Sequence, residues 1–252
     1  MSPPFFALLL LLACVARPAP AAAQPPRLYL TTEYSPPASM LAAGEVIGLS
    51  TEKVREVMQR SGVLYSVELL PWKRAYTAAL QRADACVFST TRTPEREALF
   101  KWVGPTDEAD WVLLGRADRN LQLRSLEDAR TLRIGTYNGD ARDEYLRARG
   151  FLVDSAPNDT LNPKKLLMNR IDLWAAGLRP GSAVIAQNGW GEQIVPLLTF
   201  NHIKVYLACN RAVPDALIEK MNGALEAMAR DGTTRRIDRK YDNWFEQAGP
   251  LQ

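Results

Sequence analysis

The chain has 252 residues, is 47% hydrophobic and carries a formal net charge of +3, with 31 Lys/Arg against 28 Asp/Glu. Its charges are dispersed and no basic block stands out, which argues against nucleic acid as a partner. A single histidine, His202, and no Cys/His cluster leave no basis for a zinc site or a histidine-based triad, and no cofactor is implied.

Residues 1–23 read as a secretory signal peptide. Phe5 to Val15 is an apolar run too short to span a bilayer, and it leads to Ala21, Ala22 and Ala23, with cleavage after Ala23. A second reading stays open: "LLAC", ending at Cys14, resembles a lipobox, which would leave a lipid-anchored terminus. Both readings send the chain to the periplasm, and nothing after the signal is long enough for a transmembrane helix. The remainder suffices for one large domain or two small lobes.

Short apolar runs then alternate with helical patterns. "RLYLTT" reads as a strand and "STEKVREVMQRSG" as an amphipathic helix, capped by Ser50 or Thr51 and stopped by Gly62. "LYSVELL", "WKRAYTAALQ", "DACVFST" and "WVLLGR" follow as strand, helix, strand and strand. The stretch from "SLEDAR" to "FLVDSA" reads as short helix, strand, helix, strand. "LNPKKLLMNRIDLWAAG" gives a helix and a strand, "SAVIAQNGW" a helix, and "HIKVYLAC" a return strand. Two helices close the chain, "PDALIEKMNGALEAMARDG" and "TTRRIDRKYDNWF". Such alternation argues for mostly parallel sheets covered by helices. Cys86 and Cys209 each lie in an apolar strand-like run. They pair if those strands are neighbours; otherwise they are two small buried apolar residues. His202 reads as a surface residue of a connecting segment.

Ligands of open α/β sheets collect beyond the carboxyl ends of strands. "TTRTPERE" follows such an end. Thr93 suits a helix N-cap and Pro94 a first helical turn, which puts Arg96 where unpaired amides already present positive charge. A cation there calls for an anion to meet it. "RIGTYNGDARDEY" is a second strand end, with a helix starting near Asp140. Two anion-type sites with a hinge strand between them fit a two-lobed cleft.

The order and spacing of "TTEYSPPAS", "GEVIGLSTEKVREV", "DACVFSTTRTPERE", "RIGTYNGD", "NRIDLW" and "PDALIEKMNGALEAMARDGTTRRIDRKY" resemble the periplasmic solute-binding proteins of family 3, which serve polar amino-acid ABC transporters. "LPWKRAY" and "FKWVGP" point to a divergent branch. The resemblance implies an α/β, two-lobed periplasmic binding protein type II fold with a flytrap-like cleft. The lobes would be residues 24–112 with 205–252, and residues 113–204. It also implies that Arg96 grips a ligand carboxylate, with Thr91 and Ser89 beside it. Glu33 and Tyr34 would contact the ligand from the first loop, Glu33 receiving an ammonium or simply facing water. Trp72 covers an apolar part of the ligand or packs in the lobe core. Tyr137, Asn138 and Asp140 would offer backbone N–H groups and a helix N-terminus, or Asp140 is only that helix's N-cap. Arg92 is a second cleft cation or a solvated loop residue.

One departure matters. Amino-acid binders of this type place an acid a few residues after the "G-R-x-D" strand to hold the α-ammonium, whereas here Asp172 is followed by "LWAAGLRPG". Unless Asp172, Glu192 or Glu33 substitutes, that clamp is missing. Trp174 in this segment lines the cleft or belongs to the core. The leading function is capture of a small carboxylate-bearing solute, an amino acid or related organic acid, by a monomer that presents it to an ABC permease. The alternatives are a periplasmic dehydratase-like enzyme on the same fold, with Glu33 and Asp140 as its acid–base candidates, and a ligand-sensing subunit for a membrane receptor.

Overall fold

The computed structural model describes residues 27–242 and Trp244. The expected signal peptide and Cys14 lie outside the described residues, as does the end of the last expected helix. The first half of the chain builds β1 (Arg27–Thr32), a small hairpin of β2 (Met40–Ala42) and β3 (Glu45–Ile47), α1 (Leu49–Ser61), β4 (Leu64–Leu69), α2 (Trp72–Gln81), β5 (Ala85–Thr91) and β6 (Lys101–Arg116). The second half builds β7 (Arg133–Tyr137), α3 (Ala141–Ala148), β8 (Leu152–Ala156), α4 (Asn162–Leu167), β9 (Leu173–Gly177), α5 (Leu178–Gln187), β10 (Ile194–Cys209), α6 (Asp215–Arg230) and α7 (Thr233–Tyr241).

The strands form one hydrogen-bonded series in the order β4-β1-β5-β10-β6-β9-β7-β8. The pairs β1/β4, β1/β5, β7/β8 and β7/β9 are parallel, as helical crossovers require. Two 16-residue antiparallel strands, β6 and β10, run through the middle and tie a first lobe around β4-β1-β5 to a second around β9-β7-β8. Each half has its own apolar core. Leu28, Leu30, Val54, Met58, Phe88, Met221 and Met228 pack in the first, and Ile134, Leu146, Leu166, Leu173 and Trp174 in the second.

Local signals mostly act as the sequence implies. Gly62 ends α1 in the left-handed conformation at φ 68°, donating its N–H to Gln59. The start of α1 differs, because neither Ser50 nor Thr51 is its N-cap. Gly48 takes that place at φ 124°, with Pro37 and Ala38 carbonyls so close that a Cβ would meet them at 2.5–2.6 Å. The expected helix at Thr93 is also absent. After β5 the chain makes only a three-residue 3-10 turn, Glu97–Leu99, with Arg96 as its flanking residue. Its immediate return into β6 leaves no room for a full helix. His202 is exposed but sits inside β10 rather than a connector, 2.6 Å from Asp110 on β6. Cys86 and Cys209 are direct cross-strand partners on β5 and β10 and form a buried disulfide.

Candidate functional site

The carboxyl ends of β1, β5, β7 and β9 face one cavity of about 140 Å³ between the two lobes. It is lined by Glu33, Tyr34, Trp72, Ser89, Thr91, Arg96, Tyr137 and Asp140. Asn138, singled out with them in the sequence, does not line it: it is exposed, and its backbone N–H is spent on the Ala156 carbonyl at the end of β8. Arg92 does not line the cavity either. It forms a two-pronged ion pair with Glu97 and stacks over Trp102 and Tyr206. Tyr137 contributes its hydroxyl rather than a backbone amide, and Asp140 is the N-cap of α3, accepting from the Arg142 N–H.

Arg96 forms one end of the site. Only 2% of its surface is exposed, yet it is a charged group, and burial of a charge demands partners. Its Nε and Nη2 reach Glu144 on α3 at 3.1 and 3.0 Å, and Nη2 also donates to the Gly139 carbonyl at 3.0 Å. The guanidinium lies over the rings of Tyr76 and Trp72. Its third nitrogen, Nη1, is buried without a hydrogen-bond partner, and so is the Ser89 hydroxyl. Ser89 is held at φ 59°, opposite the irregular register of β10 between Tyr206 and Ala208. A non-glycine residue in the left-handed region costs of order 1–3 kcal/mol and is typical of binding sites. Two orphaned buried donors lining one cavity, one of them on a strained backbone, are what an anion-binding end requires.

Three acids, Glu33, Asp140 and Asp159, line the cavity together with Arg142. The Glu33 carboxylate on the loop after β1 accepts the Tyr137 hydroxyl at 2.6 Å from across the cleft. Burial pushes its pKa up to about 8, with Asp140 and Asp159 adding to the rise, while the Tyr137 hydrogen bond and Arg142 oppose it. Burial also drives the Tyr137 hydroxyl well above the usual range. Arg142 grips Asp140 at 2.8 and 2.9 Å, and Asp159 stands 3.6 Å away. Burial works against ionised Asp140, but Arg142 outweighs it and holds the carboxyl below its ordinary value. Asp159, raised by burial, takes hydrogen bonds from Trp174 at 2.7 Å and Asn162 at 3.0 Å.

Arg142 and Asp159 line the cavity but were not legible in the sequence. Asp159 sits in a 3-10 turn ahead of Pro163, and only β9 brings Trp174 against it. The acid sought after Asp172 is absent here too. Asp172 bonds Arg119 and the Arg133 N–H away from the cavity, and Glu192 is exposed and not part of the lining. The strand end that faces the cavity is Gly177, and a Cβ there would lie 3.9 Å from Arg142 Nη1. Glu33 is thus the one of the three that reaches the site. Trp174 does both jobs, buried in the second core and lining the cavity.

The lobes meet across the cleft. Trp72 Nε1 donates to the Gly139 carbonyl at 2.7 Å, and Arg179 on α5 reaches Asp107 on β6 at 3.2 Å. Among the described residues there is no group of acids, cysteines and histidine able to hold a metal, and no helix long and apolar enough to cross a membrane.

A cleft between two α/β lobes, bounded by a buried arginine and crossed twice by the chain, defines the class of bilobal periplasmic binding proteins. The chain belongs to the bacterial extracellular solute-binding proteins, family 3, whose pattern matches residues 28–246. It is 25% identical over 237 residues to the ABC transporter arginine-binding protein 1 of Escherichia coli K12, covering 86% of this chain and 89% of that one. Its fold is similar to a histidine kinase sensor domain that itself resembles periplasmic binding proteins, with a TM-score of 0.80 at 17% identity over 86% and 96% of the two chains. It is also similar to an ancestral arginine-binding protein bound to arginine, with a TM-score of 0.76 at 22% identity over 86% and 98%.

Proposed function

We propose that the protein is an exported, monomeric binding protein that captures a small carboxylate-bearing solute by closing its lobes and presents it to a membrane transporter. The lobes are taken as residues 24–112 with 205–252, and residues 113–204. The observation that carries the reading is the pair of buried donors without partners, Arg96 Nη1 and the Ser89 hydroxyl, on the cavity wall. A solute carboxylate between them, with Thr91 alongside, supplies the acceptor both lack. Trp72 and Tyr34 close over the body of the solute, and the kinship with an arginine-binding ABC protein supports an amino acid or a close relative of one.

A dehydratase-like activity needs a free acid–base pair. Asp140 is locked to Arg142, which leaves Glu33 alone, and the relatives are binding proteins. The sensing alternative has a specific support in the fold's likeness to a kinase sensor domain. In that reading the same closed form docks on a receptor instead of a permease.

The test is calorimetric titration of protein refolded from denaturant, with L-arginine, L-glutamine and L-glutamate, each beside its deaminated acid. Saturable one-to-one binding with no turnover of the acid, checked by mass spectrometry, is expected. Chemical conversion of a bound acid would replace capture by catalysis.

A further inference from the structure

Glu144 answers the charge of Arg96, yet it is not part of the cavity lining. It projects from α3, 48 residues beyond Arg96, and its side chain is 45% exposed where that of Arg96 is 2% exposed. Among the described residues it is the one ion-pair partner of Arg96. The acid thus reaches the guanidinium from outside the space a solute would fill.

A guanidinium carries five N–H groups in one fixed plane. Nε of Arg96 donates to Glu144 Oε2 at 3.1 Å. Nη2 stands 3.0 Å from the same oxygen and donates to the Gly139 carbonyl at 3.0 Å. That carbonyl is fixed in turn by the Trp72 indole at 2.7 Å. The edge of the fork formed by Nε and Nη2 is therefore taken. Only Nη1 is left without a partner, and the Ser89 hydroxyl is the other orphaned donor of the same cavity. Arg96 accordingly presents one nitrogen to the cavity rather than a paired edge, and a carboxylate already opposes its positive charge.

We propose that Glu144 is a positioning residue that sets the specificity of the Arg96 site. By occupying one edge of the fork and balancing its charge, it leaves Nη1 and Ser89 to read the solute's acid group as a hydrogen-bond acceptor, with little gain from the negative charge. This rests on the solute-binding reading for the nature of the acceptor, whereas the Glu144–Arg96 pairing stands on the structure alone. The consequence is a weak preference for a carboxylate over the matching carboxamide. Removing the charge of Glu144 restores an uncompensated guanidinium, whose hydrogen bonds favour an ionised acceptor.

The experiment is calorimetric titration of the refolded wild type and Glu144→Gln with L-arginine, L-glutamine and the α-carboxamide of each. Glutamine keeps an acceptor for Nε and loses the charge. Glu144→Gln is expected to bind the acids up to about fivefold more tightly, the limit for a half-exposed carboxylate, and the amides as the wild type does. Unchanged or weaker binding of the acids, or equal tightening for acids and amides, overturns the proposal. A residue that served only to hold the fold would not separate the two.

A second measurement needs no solute. Melting temperatures are compared for the wild type, Glu144→Gln, Arg96→Met and the double variant. Loss of the charge at Glu144 should lower the wild-type value by about 2–4 °C and leave that of Arg96→Met unchanged. An equal drop in both backgrounds overturns the pairing on which the proposal stands. If no probe binds the wild type, the solute reading fails for these compounds, and the melting cycle still decides whether Glu144 acts through Arg96.

Discussion

At the scale of single residues, Arg96 and Glu33 are the two charged groups of the cavity lining on which the proposed reading turns. Arg96 was legible because its place in "TTRTPERE" raised the question of a missing anion, although the reason offered by the sequence was wrong. It does not sit in a helix that adds to its charge; Glu144 and the Gly139 carbonyl balance it, and its spare Nη1 remains. Nothing local revealed Glu144, which lies 48 residues on, or the Arg142–Asp159 contact. Such ion pairs are assembled by topology and leave no spacing signature. Glu33 predicts a stability effect with a defined sign. Its pKa is raised in the folded protein, so its contribution is fully present below about 4.5 and is lost as pH rises through about 8. The melting temperature of Glu33→Gln, measured without solute, is therefore expected to exceed the wild type's at pH 8 and to match it near pH 4.5. Equal melting temperatures at pH 8 would mean that the carboxylate is stabilised by a partner other than Tyr137.

At the scale of elements, parallel strands and covering helices were readable from alternation of apolar runs, and the two long crossing strands were not. "WVLLGR" and "HIKVYLAC" are only the closing stretches of β6 and β10, which also contain Pro105 and Pro196. Proline argues against a strand interior because it removes a ladder donor. Here Pro196 is accommodated beside a shift of register between Pro196 and Leu198. The disulfide belongs to the same scale, because the neighbourhood of β5 and β10 decides between a bond and two buried thiols. It joins residues 123 apart in sequence within the first lobe. Cross-links of this kind stabilise by about 2–4 kcal/mol. Cys86→Ala with Cys209→Ala, or reduction, should lower the unfolding free energy by that order in denaturant melts, with no loss of solute affinity. An unchanged midpoint would contradict the bond. The start of α2 yields another prediction. Trp72→Phe removes the Nε1 hydrogen bond to Gly139 but keeps the ring, so it should weaken closure by about 1 kcal/mol, read as roughly fivefold weaker solute binding.

At the scale of the whole molecule, the sequence implied two lobes and a cleft, and the structure adds what the closed cleft demands of its contents. Two buried donors without acceptors, Arg96 Nη1 and the Ser89 hydroxyl, line the same cavity as the carboxylates of Glu33, Asp140 and Asp159. On the proposed reading, the donors meet a solute carboxylate and the carboxylates its amine. On that reading an amine need not be held from β9, where Gly177 stands, because Glu33 also lines the cavity.

The most direct test of this account compares melting temperatures of the refolded wild type and Arg96→Lys across the amino acids and deaminated acids, with solute-free samples as the folding control. Lysine keeps the charge and loses the planar fork. A solute at a hundred times its dissociation constant adds about 2.7 kcal/mol of stability. The account predicts that an amine-bearing acid stabilises the wild type by that order and that Arg96→Lys loses most of the gain. Equal stabilisation of both proteins by the same acid would contradict it and move the carboxylate away from Arg96.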